Sequence, residues 1–192
     1  MLRIITGTAK GKKLKTLEGE ATRPTSERIK EALFSAIQFD IEGRRVLDLF
    51  AGSGQLALEA LSRGAESAML IDSEREAMEI AKENARTTGF FGKARYLVSD
   101  WRNYIRKASG RDKFDLVFID PPYAMECCAD AVARLIEAGM LNNGAIIVCE
   151  SGTEELNFSD REDVEILKST HYGKKTFLNI LLYRAIGEET GQ

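Results

Sequence analysis

The most informative segment of the chain is the tetrapeptide Asp120-Pro121-Pro122-Tyr123, which directly follows the apolar run Phe114–Ile119. Its two prolines fix the backbone φ angles and remove two amide donors, so we expect the carbonyls of the turn to accept hydrogen bonds from another group. Asp120 and the Pro121 carbonyl can each accept one hydrogen of an exocyclic amine, and Tyr123 can stack on the planar group that carries it. Such an amine is a poor nucleophile because its lone pair is delocalised. The tetrapeptide therefore predicts a catalytic site that positions an exocyclic amino group for attack on an electrophile.

A second motif lies earlier in the chain, where an apolar strand is followed by the loop Ala51-Gly52-Ser53-Gly54 and then by a helix. Glycines in such a loop let the backbone approach a ligand closely, and ligands of α/β folds bind at the carboxyl ends of the strands. The loop also satisfies the relaxed dinucleotide fingerprint, with Asp72 about 20 residues downstream. A nicotinamide-dependent oxidoreductase is therefore one interpretation of this motif.

Asp48, inside the strand that precedes the loop, favours a different ligand. A carboxylate at this position would repel a pyrophosphate bound at the following helix N-terminus. S-adenosylmethionine carries no phosphate, and its sulfonium and α-ammonium groups are attracted by an acid. Asp48 can also cap the amides of the loop. We expect S-adenosylmethionine as the cofactor, with S-adenosylhomocysteine as the product.

Two further acids follow the next two predicted strands. Asp72 is expected to accept hydrogen bonds from the ribose hydroxyls, and Asp100 from the adenine amino group, with Trp101 supplying apolar surface. Asp100 is also suited to cap the helix that follows it. The predicted cofactor-binding residues are Asp48, Ala51, Gly52, Ser53, Gly54, Asp72, Asp100, Trp101 and Asp120.

The elements that must position these residues alternate between strand and helix. The predicted strands are Arg45–Leu49, Ser67–Ile71, Ala94–Val98, Phe114–Ile119 and Gly144–Glu150, and the predicted helices are Gly54–Arg63, Glu74–Thr87, Trp101–Lys107 and Met125–Ala138. This alternation predicts a parallel sheet covered by helices on both faces. The segments Val164–Ser169 and Thr176–Arg184 have no helical pattern between them and predict an antiparallel hairpin at one sheet edge. The pattern indicates a Rossmann-like fold of the class I methyltransferase kind, with a mostly parallel seven-stranded sheet.

The beginning of the chain is basic, although the 192 residues carry a net charge of -3. Residues 1–16 contain five cations and no acid, and their pattern predicts two short strands, 2–6 and 12–16, that form a β-hairpin. A helix is expected after Pro24, capped by Thr25 or Ser26. The lysines favour a nucleic-acid substrate, although a solvated hairpin has the same pattern. The predicted RNA-binding residues are Arg3, Lys10, Lys12, Lys13, Lys15 and Arg23.

The composition excludes several other classes of protein. The three cysteines, Cys127, Cys128 and Cys149, form no C-x-x-C pair and His171 is the only histidine, so we expect buried thiols and no metal site. No apolar run approaches the length of a membrane span. We expect a cytoplasmic monomer with a basic arm over residues 1–24, a methyltransferase domain over 25–186 and a tail over 187–192.

Taken together, these motifs resemble the bacterial 16S ribosomal RNA (guanine-N2)-methyltransferases of the RsmD type. The likeness runs from Arg3 to about Arg184, and its most specific parts are the segments 22–25 (Thr-Arg-Pro-Thr) and 58–65 (Leu-Glu-Ala-Leu-Ser-Arg-Gly-Ala). The resemblance implies methylation of one guanine N2 in 16S ribosomal RNA of the assembled small subunit, an N-terminal hairpin that contacts RNA, and an Arg23-Pro24-Thr25 segment over the cofactor pocket. Some members have Phe in place of Tyr123.

The motifs by themselves leave the acceptor open. The same tetrapeptide is suited to adenine N6, guanine N2 and glutamine side-chain amides, and a non-catalytic RNA-binding module could retain the pocket. A loop base must leave its stack to reach such a site, which favours single-stranded regions of an RNA substrate.

Overall fold

The computed structural model describes residues 2–17, 24–122, 125–152, 156–173 and 176–187. These residues form five α-helices, one short 3₁₀ turn over 91–93 and one seven-stranded sheet. The helices are α1 (Pro24–Ala36), α2 (Gln55–Ser62), α3 (Arg75–Thr88), α4 (Trp101–Ala108) and α5 (Cys128–Glu137). The strands are β1 (Arg45–Asp48), β2 (Ser67–Asp72), β3 (Ala94–Val98), β4 (Phe114–Ile119), β5 (Leu141–Ser151), β6 (Val164–Tyr172) and β7 (Thr176–Tyr183).

The strand order is β3-β2-β1-β4-β5-β7-β6, and the first five of these strands are parallel. β7 is antiparallel to both β5 and β6, so the last two strands form a hairpin at the sheet edge. This architecture confirms the predicted Rossmann-like fold. The strand order reverses between β1 and β4, and such a switch point is where α/β sheets bind ligands.

Four helix starts differ from the sequence prediction, those of α2 and α3 by one residue each, and the differences at α1 and α5 have a local cause. α1 begins at Pro24, so Thr25 and Ser26 lie in its first turn and the prediction that one of them is the cap was wrong. Proline is well suited to the first helical position because its missing N–H would have no intrahelical partner there. α5 begins at Cys128, three residues after the predicted start, because the Met125 amide closes a turn onto the Pro122 carbonyl at 2.8 Å.

The N-terminal arm, residues 2–17, forms a hairpin with one antiparallel bridge, between Arg3 and Lys13, instead of two predicted strands. The Leu14 amide donates to the Leu2 carbonyl at 2.9 Å, and the Ile4 amide to the Lys12 carbonyl at 3.0 Å. Leu2, Ile4 and Leu14 are buried in the same hydrophobic cluster as α1, α2 and α3. The arm therefore packs onto the core of the domain.

The core has two layers, one on each face of the sheet. The first layer contains the arm and α1, α2 and α3, and the second contains α4 and α5. Adjacent residues of the central strands point into opposite layers, as Phe118 and Ile119 do. Of the helices described, none is long and apolar enough to span a membrane.

Candidate active site

The carboxyl ends of the parallel strands open into one cleft of about 650 Å³. Eight of the predicted site residues line it: Gly52, Ser53, Asp72, Asp100, Trp101, Asp120, Pro121 and Pro122. They come from loops after four different strands, so the fold brings together residues that are up to 70 positions apart. Tyr123 and Arg23, also predicted for the site, lie outside the described residues.

The glycine loop after β1 has a backbone that requires glycine. Gly52 and Gly54 have φ angles of 51° and 79°, in the left-handed region that other residues rarely adopt. A Cβ atom at Gly54 would lie 3.2 Å from the Leu70 side chain and 3.3 Å from the Ala81 Cβ. Gly54 therefore allows the start of α2 to pack closely against β2 and α3. Ala51 and Gly54 support the loop without being among the residues that line the cleft.

Asp72 ties this loop to the end of β2. Its Oδ2 accepts a hydrogen bond from the Gly52 amide at 2.8 Å, and its Oδ1 accepts one from the Glu74 amide at 2.9 Å. A carboxylate oxygen has more than one acceptor position, so both oxygens can also accept bonds from a ligand. Asp72 is thus fixed in orientation at the cleft wall.

Asp48 lies beneath the loop, 1% exposed, and is not among the residues that line the cleft. Burial in the apolar interior raises its pKa from 3.8 to about 7, while the backbone amides of Phe50 and Ala57 favour the charged form. Its Oδ1 has no hydrogen-bond partner within the described part of the chain. A buried acid with an unpaired oxygen so close to the cleft suits a cationic ligand, whose charge would lower this pKa again.

Asp100 performs the capping role that was one of its two predicted alternatives. Its Oδ1 accepts bonds from the Arg102 amide at 2.9 Å and the Asn103 amide at 3.2 Å, at the start of α4. Asp100 also lines the cleft, so capping and ligand binding are compatible. Trp101 beside it is 3% exposed, and its ring centroid lies 6.1 Å from that of Phe50. Together they form an apolar wall with a carboxylate at its edge.

The turn after β4 is closed by a backbone hydrogen bond. Pro121 is buried, and the Pro122 carbonyl accepts the Met125 amide at 2.8 Å. The expectation that the turn carbonyls remain available is therefore wrong for Pro122, whose oxygen closes the turn. The predicted hydrogen bond from the amine goes to the Pro121 carbonyl, which is a different oxygen atom.

Sequence reasoning missed the walls that α1 and the arm give to the cleft. Ile29, Lys30 and Leu33 of α1 line it, as do Leu2, Thr16 and Leu17 of the arm. Lys30 is only 3% exposed and its Nζ donates to the Arg3 carbonyl at 2.9 Å. Its pKa is lowered, first of all by burial. The helical spacing of Ile29 and Leu33 indicated a buried face but not what that face covers.

A buried glutamate anchors the arm to the helix that follows the glycine loop. Glu59 of α2 is fully buried and accepts hydrogen bonds from the Ile5 amide at 2.7 Å, the Thr6 amide at 3.0 Å and the Arg63 Nε at 2.8 Å. An acid inside the otherwise apolar pattern of residues 56–61 was the available signal for such a role.

Asn84 of α3 links the arm directly to the glycine loop. Its Nδ2 donates to the Ser53 carbonyl at 2.8 Å and to the Lys15 carbonyl at 2.9 Å, and its Oδ1 accepts from the Lys15 amide at 2.8 Å. The side chain is buried and satisfied on both sides. No local sequence signal distinguishes it, because its partners lie 31 and 69 residues away.

The predicted RNA-binding lysines lie along the outside of α2 and α3. The Thr8 amide donates to the Ser62 carbonyl at 2.8 Å, which places the arm's tip at the last residue of α2, away from the cleft. Lys10, Lys13 and Arg3 are exposed, whereas Lys15 forms an ion pair with Glu83. Lys12 and Lys15 contact α3, and none of the five cations is among the described residues that line the cleft.

Comparison with known proteins identifies the family. The family described as Conserved hypothetical protein 95 matches residues 2–181. Ribosomal RNA small subunit methyltransferase D of Escherichia coli (strain K12) is 35% identical over 153 residues, 80% of this chain and 76% of that protein. YlbH of Bacillus subtilis (strain 168) is 36% identical over 154 residues, 80% of this chain and 84% of its own length.

The fold agrees with these matches. The solved structure of yhhF from Escherichia coli has a TM-score of 0.84 and 30% identity, and the alignment covers 96% of this chain and 98% of that one. The resemblance drawn from the sequence motifs is confirmed, since the match extends over nearly the whole chain. The chain belongs to the Conserved hypothetical protein 95 family, which is the RsmD type.

Proposed function

We propose that this protein transfers a methyl group from S-adenosylmethionine to the exocyclic N2 of a guanine in 16S ribosomal RNA of the small subunit. The observation that carries the proposal is that Asp120 and Pro121 line the same cleft as Asp72 and Asp100. An amine-positioning turn thus faces acids suited to ribose and adenine. The name of the Escherichia coli relative supports ribosomal RNA methylation as the reaction class.

The cleft suits S-adenosylmethionine in both size and charge. Its volume of about 650 Å³ lies within the usual range for small-molecule sites. Asp72 would hold the ribose hydroxyls, Asp100 the adenine amino group, and Trp101 one face of the adenine. Asp48 lies beneath the loop with its Oδ1 unpaired, and its negative charge would attract the positively charged α-ammonium group electrostatically. When bound, the cofactor supplies a methyl group on an electrophilic sulfonium.

Asp120 and the Pro121 carbonyl would orient the acceptor. Each accepts one hydrogen of the amine, which directs the nitrogen lone pair toward the methyl group and favours a pyramidal nitrogen as the new bond forms. The new N–C bond would form as the S–C bond breaks, leaving S-adenosylhomocysteine. Asp120 need not be a strong base, because the methylated nitrogen is acidic and can then lose its proton to Asp120 or to water. Positioning and electrostatic stabilisation of the developing positive charge would supply most of the rate enhancement. Tyr123 is proposed to stack on the base, as its place in the tetrapeptide suggests.

The choice of guanine rests on the family resemblance. Adenine N6 and a glutamine amide present the same two hydrogens to the turn, so they are outcomes that the experiment must separate. A cytoplasmic monomer that meets the small subunit is the corresponding proposal for location and partner.

The acceptor is tested by mass mapping of ribosomal RNA from cells with and without the protein. We expect one guanine in 16S ribosomal RNA to lose an N2 methyl group when the protein is absent. A missing methyl group on adenine, or on a protein glutamine instead, would overturn the proposed acceptor.

The site is tested with purified Asp120→Ala and small subunits from the strain that lacks the protein. Methyl transfer should fall about a thousandfold or more, while S-adenosylhomocysteine should bind within about threefold of its normal affinity, because Asp120 acts mainly on the base and most of the predicted cofactor contacts come from other residues. Asp72→Ala is the matched acid removal and should weaken cofactor binding instead. Full activity in Asp120→Ala would refute the mechanism, and tighter binding of NAD than of S-adenosylhomocysteine in parallel calorimetry would refute the cofactor.

A further inference from the structure

The carboxyl end of α3 and the turn after it carry an exposed group of side chains outside the cleft. Residues 84–99 contain three cations and no acid, like residues 1–16. Arg86, Phe91 and Lys93 of this segment are exposed, and we call these three residues the α3-end platform. Phe91 is 41% exposed and lies between the two cations of the platform in the sequence.

The platform is ordered before any partner binds. The Arg86 guanidinium carbon lies 4.4 Å from the centre of the Phe91 ring. Phe91 is in turn stacked on Tyr96, with ring centroids 5.5 Å apart and an interplanar angle of 24°. An arginine held over a ring loses less rotamer freedom on binding than a free one, and it offers a planar guanidinium for stacking or for phosphate contact.

The platform adjoins the N-terminal arm. The Lys12 Nζ donates to the Thr87 carbonyl at 2.9 Å, beside Arg86 in the last turn of α3. Lys10 and Lys13, on the exposed part of the arm, belong to the other acid-free segment. Two basic segments 75 residues apart in the chain thus meet in the folded protein.

This surface lies at the opposite end of the sheet from the cleft. α3 begins three residues after Asp72, at the cleft, and its 14 residues span roughly 20 Å. β3 likewise begins beside the platform and ends at Val98, just before Ser99 and Asp100 of the cleft. A partner that contacts both places must therefore be a large one.

We propose that the α3-end platform is a second RNA-contact surface, which with Lys10, Lys12 and Lys13 binds substrate RNA remote from the base that is modified. This inference rests on the proposed function for the identity of the substrate. Lysine and arginine neutralise phosphates, and an arginine stacked on an aromatic ring is the type of group on which unpaired RNA bases stack. An acidic protein partner would be attracted by the cations alone and would make no use of the aromatic ring.

The experiment compares two triple variants that remove the same charge and the same kind of ring. The platform variant is Arg86→Ala, Phe91→Leu, Lys93→Ala. The control variant is Arg106→Ala, Lys107→Ala, Phe39→Leu, whose residues are also exposed but lie outside the platform. Binding of small subunits from a strain that lacks the protein is measured from 50 to 200 mM salt, together with S-adenosylhomocysteine affinity and Tm.

We expect the platform variant to bind RNA about tenfold more weakly at about 100 mM salt, with a slope of log K against log salt reduced by about 1.5 to 2. The control variant should stay within about twofold of the unaltered protein, and both should bind S-adenosylhomocysteine normally. The single variant Phe91→Leu should weaken RNA binding without changing the salt slope, because it removes the ring but no charge.

Equal RNA affinity and slope in the two triple variants would overturn the proposal. The proposal would also be overturned if the platform variant kept its RNA affinity but no longer bound poly-glutamate, since that result would assign the surface to an acidic protein. RNA binding is measured without methyl transfer, so a failure of the proposed reaction and a failure of this surface give different results.

Discussion

At the residue scale, two kinds of position determine the site: acids held in fixed orientations and glycines that allow close approach. Asp72 is fixed by two backbone amides and faces the cleft, whereas Asp48 is buried beneath it with one oxygen unpaired. The first arrangement suits hydrogen bonding to a ligand and the second suits a long-range charge effect. The buried acid Asp48 and the glycines each give a testable prediction.

Asp48 should make stability depend on pH. Its pKa of about 7 in the folded protein exceeds the ordinary value of 3.8, so the folded state binds this proton more tightly than the unfolded state. The resulting stabilisation is complete below about pH 4 and is lost as the pH rises through 7, by at most roughly 4 kcal/mol. Urea denaturation of the unaltered protein and of Asp48→Asn, from pH 4 to pH 8, measures this effect.

The asparagine variant is neutral throughout, so the part of the pH dependence due to Asp48 should be absent from it, whatever constant offset the amide introduces. If the difference in unfolding free energy between the two proteins is the same at pH 4 and pH 8, the pKa of Asp48 is not raised.

Gly7 should be the least replaceable residue of the arm. Its φ is 87°, and a Cβ atom there would lie 1.8 Å from the Ser62 carbonyl oxygen at the end of α2. We expect Gly7→Ala to lower the free energy of unfolding by several kcal/mol, or to release the arm and make residues 2–17 sensitive to protease.

Gly11→Ala is the matched control, because Gly11 also has a positive φ, 81°, but a Cβ atom there would meet no atom within 4 Å. It should cost only about 1 to 2 kcal/mol for the left-handed conformation. Equal losses in the two variants would show that the contact between Gly7 and Ser62 does not limit the position of the arm.

At the scale of elements, the glycine loop is held by its neighbours on both sides. Asp72 at the end of β2 binds the Gly52 amide, and Asn84 of α3 binds the Ser53 carbonyl. Because Asn84 also binds both backbone groups of Lys15, the arm and the cofactor loop share one support. α3 therefore couples two parts of the molecule that are distant in sequence.

Asn84→Ala should affect cofactor binding from outside the cleft. The Ser53 carbonyl and the Lys15 backbone groups would lose their buried partner, at a cost of about 2 to 3 kcal/mol in unfolding free energy. S-adenosylhomocysteine affinity should fall several-fold, as measured by calorimetry.

Ser62→Ala is the control for Asn84→Ala, because it removes hydrogen bonds to the arm and leaves the one from Asn84 to the glycine loop in place. The Ser62 Oγ accepts the Ala9 amide at 3.0 Å and donates to the Thr6 carbonyl at 2.6 Å, and both partners belong to the arm. It should lower stability with a smaller effect on cofactor affinity. A loss of cofactor affinity as large in Ser62→Ala as in Asn84→Ala would contradict a direct role for Asn84 in the loop.

At the scale of the whole molecule, the acids of the cleft and the cations of the arm lie in different places. Acids gather around the cleft, where Lys30 is the one cation among the described lining residues, while the cations of the arm lie on the outside of α2 and α3. A net charge of -3 therefore hides a basic face that can attract a polyanion.

Lys10→Gln with Lys13→Gln tests the arm itself, since both lysines are exposed while Lys12 and Lys15 bind α3. We expect weaker binding of 16S ribosomal RNA and a salt slope smaller by about 1.5 to 2. Lys107→Gln with Arg111→Gln removes the same charge elsewhere and should change neither quantity. An unchanged slope in the arm variant would mean that the arm is only a solvated hairpin.

The sequence by itself determined the order of elements, the fold class and the motifs of the cleft. Apolar runs predicted the parallel strands closely, because the four inner strands β1, β2, β4 and β5 are largely buried and must be mostly apolar, whereas the edge strand β3 is largely exposed. The loop over 51–54 and the turn over 120–122 were recognisable because their glycines and prolines act on the local backbone. The start of α5 was missed, since the turn onto Pro122 is a local contact that competes with a helical pattern.

Only the tertiary structure decided what surrounds those motifs. The burial of Asp48, the wall formed by α1 and the arm, and the links through Asn84 and Glu59 all join residues that are far apart in the chain. Their effects depend on burial and on hydrogen-bond distances, which no local pattern encodes. For the same reason the basic arm was visible in the sequence, but the contact of its Lys12 with the last turn of α3 was not.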